Sequence, residues 1–293
     1  MCGIFFSLSK HAHCLPAPSI KECLRRRGPD NAAEHKLLIQ DGSEIGGVLY
    51  ASLFSTVLSL RGQHIVDQPL IDGESGSFLC WNGEAWGISG DHLGCSSARF
   101  THHYADRISG NDTKAVFELL LDASSCPTSS NEYTYYQPVL EAISLLSGPH
   151  AFVYFDAHRK CIFYARDGLG RRSLMSRTNA NGDIAITSSS CRELRESQPE
   201  VEGQTNPNTD TAEWSEVDAD GVYIIDLTKR AVNSQLQLEH NHEAAIRTWT
   251  WHEYNCVFIP YAPRRTPFTK ANPIVVSMSI SRLVKEAISS CLV

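Results

Sequence analysis

Four short apolar runs stand out in the second half of the chain: "AFVYFD" at 151–156, "CIFYARD" at 161–167, "DIAITSS" at 183–189 and "GVYIIDL" at 221–227. Each has the length of a strand and is bounded by polar or turn residues. Residues 2–8, "GGVLYASL" at 46–53 and "SFLCW" at 77–81 read the same way. Helical spacing is grouped between these runs rather than alternating with them. It covers Ile20–Arg27, closed by Gly28-Pro29, then Thr113–Leu121 with Asp112 as N-cap, and Pro138–Leu146 with Pro138 in the first turn and Gly148 beyond the end. Strands in runs imply antiparallel sheets and an α+β fold, not repeated strand–helix–strand units. Asn82-Gly83 after "SFLCW" reads as a turn.

The rest of the chain is less regular. Residues 192–216 are polar and read as a long loop, and 249–252 and 261–267 look extended. Ile280, Leu283, Val284, Ala287 and Ile288 carry helical spacing to the last residue, as though a further domain began there.

Several function classes are disfavoured. The net charge of −7 and a basic run of only three residues, Arg25–Arg27, argue against nucleic acid as a partner. No stretch approaches the roughly 20 apolar residues of a membrane span, and "MCGIFFSLSKHAHC" is a poor signal peptide. Ten cysteines without a C-x-x-C pair, in a chain of 293 residues, read as reduced thiols of a cytoplasmic protein. The glycosylation sequon Asn111-Asp112-Thr113 is then empty. Gly168-Leu169-Gly170-Arg171-Arg172 fits a phosphate cradle less well than a glycine turn between strands. His11, His13 and Cys14, the pair His102-His103 and the pair His240 and His242 lack structural-zinc spacing, so no metal site is expected.

The chemistry centres on Cys2. If Met1 is removed, Cys2 carries both a thiol and a free α-amine, whose ordinary pKa of about 7.7–8.0 suits a base near neutral pH. Gly3 would let the chain approach a substrate closely, and Ile4–Phe6 would anchor it as a buried strand. Acyl chemistry also needs oxyanion donors, which Asn82 and Gly83 can supply. An amino-acid substrate needs a cation for its carboxylate, for which Arg61 is a candidate. It also needs an anion for its ammonium, for which Asp112 and Glu84 are candidates. Taken singly, each has a plainer explanation: a buried thiol, a turn, a surface charge, a helix cap.

Their joint order resembles the class II glutamine amidotransferases, which are N-terminal-nucleophile hydrolases. The resemblance rests on "MCGI" at 1–4, "RRGPD" at 26–30, "LRGQHIVDQPL" at 60–70, "WNGE" at 81–84, "NDT" at 111–113, "GPHAFVYFD" at 148–156 and "ARDGLGRRSL" at 165–174. "RGPD" and "QPL" are similar to the asparagine synthetase branch, whereas Gly62 and Arg171-Arg172-Ser173-Leu174 depart from its usual pattern. The resemblance implies a four-layer αββα sandwich of N-terminal-nucleophile hydrolase type. It implies that Cys2 attacks glutamine, Asn82 and Gly83 hold the oxyanion, Arg61 binds the α-carboxylate, and Glu84 and Asp112 bind the α-ammonium. It divides the chain into an amidotransferase domain at 2–230, a linker at 231–276 and the start of a truncated synthetase-type domain at 277–293. No "SGGxDS" nucleotide motif occurs, so ATP and magnesium are expected only for the missing synthetase half, and no cofactor for this chain. The implied partners are glutamine and either a synthetase domain or a second copy of the chain. The alternative is a non-catalytic relative that binds or regulates a partner.

Overall fold

In the computed structural model the described residues are 1–42, 46–88, 110–126, 132–179, 181–190, 213–230, 247–251 and 254–260. All lie within the unit Met1–Ala262. The chain opens with strand β1 (Gly3–Ser9), helix α1 (Pro18–Arg27), and the long strands β2 (Asn31–Gln40) and β3 (Val48–Val57). Short β4 (Leu70–Ile71), β5 (Phe78–Gly83) and β6 (Gly87–Ile88) follow. Helices α2 (Asp112–Ser124) and α3 (Glu132–Ser144) come next, then β7 (Leu146–Ser147), β8 (His150–Asp156) and β9 (Cys161–Arg166). The remaining strands are β10 (Met175–Thr178), β11 (Ile184–Thr187), β12 (Ser215–Glu216), β13 (Gly221–Arg230), β14 (Arg247–Trp251) and β15 (Tyr254–Pro260).

Among the described residues the strands form two large sheets. One has the order β12-β10-β11-β1-β3-β2 and the other β14-β15-β13-β9-β8-β5-β4, and β6 pairs with β7. The pairings are antiparallel throughout, as between β1 and its neighbours β3 and β11 and between β8 and its neighbours β5 and β9.

Side-chain alternation along the strands stacks these sheets. Ile4, Phe6 and Leu8 of β1 pack in one core with Phe78, Val153, Phe155 and Ile162 of the second sheet. Phe5 turns the other way, onto Ile20 and Leu24 of α1. On the second sheet Leu79, Trp81, Phe152 and Phe163 turn outward onto Val116, Leu120, Val139 and Ile143 of α2 and α3. The layers therefore run α, β, β, α. A fully buried Phe or Leu stabilises by about 1.5–3 kcal/mol, and β1 is buried along its whole length, so the start of the chain is firmly seated.

Several local expectations change. Asn82-Gly83 is not a turn but the end of β5, paired with Ala151 and His150. The cap of α2 is Asn111, whose side chain accepts from the Lys114 N–H at 3.2 Å, and Asp112 is the first helical residue. Helix α3 begins at Glu132, with Pro138 inside it; the apolar stripe Val139, Ala142 and Ile143 packs in the core and outweighs the one backbone bond that proline forfeits. Strand β2 escapes the sequence reading because it is half exposed along most of its length and carries Glu34, His35 and Lys36 at its middle. It exists by pairing with β3 over ten positions, from Asn31 to Gln40. Strands β14 and β15 fall inside the stretch 231–276 expected to be a linker. Cys23 is disulfide-bonded, which corrects the reading of all ten cysteines as reduced. Residues 192–212 and the helix expected at 277–293 lie outside the described residues. No helix among the described residues is long and apolar enough to cross a membrane.

Candidate active site

Cys2 sits at the head of β1 and is 9% exposed. Gly3 pairs opposite Thr56 of β3, so the chain leaving β3 runs past the thiol. The Leu58 N–H donates to Cys2 Sγ at 3.5 Å. "RGPD" shapes this passage. Pro29 bridges Val57, the Asp30 N–H donates to the Val57 carbonyl at 2.9 Å, and Asp30 Oδ2 accepts from the Ser59 N–H at 2.7 Å. Gly3 does not face the cavity. A Cβ there would collide with Thr56 Oγ1 and lie 2.9 Å from Leu24 Cβ, so its smallness serves packing beneath α1 rather than substrate approach.

The second sheet supplies the facing wall. The Trp81 N–H donates to Gln68 Oε1 at 2.8 Å, and therefore points away from β8. The Gly83 N–H, two residues on, points the same way, past the level of the Leu70–Leu79 pair where β4 ends. The side chain of Asn82 is fully buried, and neither its nitrogen nor its oxygen has a hydrogen-bond partner among the described residues. Such an orphaned amide costs roughly 1–3 kcal/mol, a cost expected where a ligand completes the site. At Gly83 a Cβ would lie 2.7 Å from His150 Cβ and from the Pro149 carbonyl oxygen, so a larger residue would force β5 and β8 apart.

The third wall is polar. Asp112 Oδ2 accepts from the Ala85 N–H at 2.8 Å, and Arg61 Nη1 donates to the Ala85 carbonyl at 3.2 Å. The two side chains thus grip one residue from both sides. Burial pushes the Asp112 carboxyl up, and the Ala85 N–H and the Arg61 charge pull it back only in part. Glu84 lies between two cations, 3.8 Å from Arg61 Nη2 and 3.3 Å from Arg172 Nη2.

Arg172 is delivered by the turn after β9, which Asp167 organises. The Asp167 carboxylate accepts from the N–H groups of His150, Leu169 and Arg171 at 3.1–3.2 Å and from Arg171 Nε at 2.8 Å. Burial works against its charge, but these donors hold the carboxyl below its ordinary range. Gly168–Arg172 is thus a glycine turn, with the Gly170 N–H on the Asp167 carbonyl at 2.7 Å.

All six residues singled out from sequence, Cys2, Arg61, Asn82, Gly83, Glu84 and Asp112, line one cavity of about 190 Å³. Gln68 and Arg172 line it too. Both lie within the motifs "LRGQHIVDQPL" and "ARDGLGRRSL", which by themselves assign them no role. Burial pushes the Cys2 thiol up; the Leu58 N–H, the terminal amine and Arg172 oppose this, while Asp112 adds to it. The Met1 amine is lowered, first by burial and then by Arg27 and Arg172, against Cys2 and Asp30. It donates to the Arg27 carbonyl at 3.3 Å.

Of the histidines considered for a metal, His13 places Nδ1 3.1 Å from the Ala51 carbonyl oxygen. His102, His103, His240 and His242 lie outside the described residues. Among the described residues no group of three or more His, Cys, Asp or Glu side chains is arranged to hold a metal ion.

No protein-family model matches the chain. Asparagine synthetase domain-containing protein 1 of Bos taurus is 30% identical over 239 residues, spanning 81% of this chain and 30% of that protein. The human protein of the same name is 30% identical over 244 residues, spanning 82% and 30%. The chain is a homologue of the asparagine synthetase domain-containing proteins. It spans about 30% of the length of these curated relatives. A solved Bacillus subtilis glutamine phosphoribosylpyrophosphate amidotransferase is 16% identical, with a TM-score of 0.45, over 76% of this chain and 47% of its own. That likeness is too low to weigh on function. In this homologue the layered sheets themselves set Cys2, just ahead of β1, against the end of β5.

Proposed function

We propose that the chain is a glutamine-hydrolysing amidotransferase domain that releases glutamate and ammonia. The observation that carries this reading is the convergence on one cavity of a terminal thiol, an orphaned buried amide, a guanidinium and a buried carboxylate. With Met1 removed, the Cys2 amine takes the thiol proton as sulfur attacks the side-chain carbonyl of glutamine. The negative charge on the tetrahedral oxygen falls to Asn82 Nδ2 and the Gly83 N–H. The amine returns its proton to the leaving nitrogen, ammonia departs, and a thioester to Cys2 remains. Water, deprotonated by the same amine, then cleaves the thioester to glutamate and restores the thiol. Arg61 offers a planar fork to the α-carboxylate. Asp112, with Glu84 beside it, faces the α-ammonium, whose charge would offset the cost of burying the Asp112 carboxylate. This half-reaction uses no cofactor; ATP and magnesium would serve a synthetase half that consumes the ammonia in asparagine biosynthesis.

The test is the mass of the N-terminal residue, followed by glutamate release from glutamine by the wild type and Cys2→Ala. The reading expects Cys2 at the terminus and no turnover by the variant. Retained Met1, or equal rates in the two proteins, would overturn it in favour of a non-catalytic binding or regulatory relative.

A further inference from the structure

Gln68 is 2% exposed and joins two walls of the cavity, the one that carries Cys2 and the one built by β5. Its Oε1 accepts the Trp81 N–H at 2.8 Å, one residue before Asn82 on β5. Its Nε2 lies 3.9 Å from Cys2 Sγ. The orientation of the amide is not arbitrary. A backbone N–H is only a donor, so oxygen must face Trp81 and the NH₂ must face the sulfur. We infer that Gln68 is a positioning residue, which ties the sulfur of Cys2 to the strand that carries the oxyanion donors.

Two consequences follow from that geometry, and they build on the glutaminase reading. A donor aimed at sulfur favours the thiolate over the thiol, opposing the burial that pushes the Cys2 thiol up. The same side chain fixes the distance between nucleophile and oxyanion donors, because one amide holds both strands. A misplacement of about 1 Å in such a constellation can cost on the order of 10²-fold in rate. The remainder of the Cys2 surroundings acts independently: Leu58, just beyond β3, offers its N–H at 3.5 Å and its carbonyl at 3.8 Å, the terminal amine lies next to the thiol, and the charges of Arg172 and Asp112 act from the third wall.

The experiment reads the thiol directly. The rate of Cys2 alkylation by iodoacetamide is followed against pH, by mass spectrometry of the N-terminal peptide, in the wild-type chain, Gln68→Glu and Gln68→Met. Glutamate at 68 keeps the acceptor for Trp81 but sets a carboxylate against the sulfur. Methionine keeps the length and removes both the donor to sulfur and the acceptor for Trp81. The expected result is alkylation about tenfold slower at pH 7 for Gln68→Glu, its pH profile displaced upward, with a smaller displacement in the same direction for Gln68→Met. In glutamine hydrolysis the expected change is a fall in kcat with KM little altered, which a general loosening of the cavity would not give. Unchanged alkylation profiles in both variants overturn the inference. If Gln68→Glu does not fold, the methionine variant alone decides in the same way. Displaced profiles in the variants, together with a wild-type chain that releases no glutamate from glutamine, would sink the glutaminase reading and leave the positioning of Cys2 standing.

Discussion

The cavity has two unlike sides. On the proposed reading the nucleophile side is made of strands: Cys2 immediately precedes β1, which is paired and buried along its length, and Asn82 and Gly83 end β5, paired with Ala151 and His150. The side that this reading gives to recognition is made of connections and polar contacts: Arg61 on the passage after β3, Glu84 beyond β5, and Asp112 at the start of α2. Arg61 and Glu84 are about one-third exposed, and their mutual contact is long at 3.8 Å. A strand end cannot shift without breaking a ladder, whereas a half-exposed ion pair is worth only about 0–1 kcal/mol and rearranges at little cost. Preorganisation thus lies where charge would develop during reaction, and adaptability where the substrate's ends would be gripped.

The largest effect expected from breaking this contrast is at Asn82. Asn82→Ala removes an amide with no partner to lose among the described residues. It should lower kcat by about 10²–10³ while KM and the thermal midpoint stay close to wild type. A matching rise in KM would move Asn82 to the recognition side. A smaller effect is expected at Arg61. Arg61→Lys keeps the charge and loses the fork that reaches both Ala85 and Glu84. It should raise KM for glutamine about tenfold, worth about 1.4 kcal/mol, with kcat changed far less. Steady-state kinetics over a wide glutamine range separates the two outcomes, and a kcat loss without a KM change would erase the distinction between the sides.

The smallest effect concerns the turn that carries Arg172 between them. The Asp167 carboxyl is held below its ordinary range, so its contribution to stability is present above the unfolded value of about 3.9 and is lost as pH falls through the lower folded value. Asp167→Asn should therefore be less stable than wild type at pH 7, and the gap should close below about pH 4. Unfolding midpoints across pH 3–7 check this. A gap that persists at the acid end would mean that the N–H donors, not the charge, define the turn.

Much of the fold is legible in residues alone. β8, β9 and β11 are buried along their length and read as continuous apolar runs, and α2 carries its spacing and its acidic start openly. β2 was not legible because an edge strand with a wet face has no apolar signature of its own. Asn82-Gly83 misled because that dipeptide carries the same turn signal wherever it stands; only the close approach of His150 and Pro149 shows that the glycine is needed in a strand. Gln68 and Arg172 could not be singled out, since a buried glutamine or a half-buried arginine acquires meaning from what it faces.

The sequence by itself determined the antiparallel α+β character and the six candidate residues, because strand length, alternation and motif order are local properties of the chain. Only the tertiary structure decided that the head of β1 and the end of β5 meet at the same cavity, that Asn82 is left without a partner among the described residues, and that Gln68 spans from Trp81 to Cys2. Those facts depend on how two sheets stack across one apolar core, and that stacking is set by contacts between residues far apart in the chain.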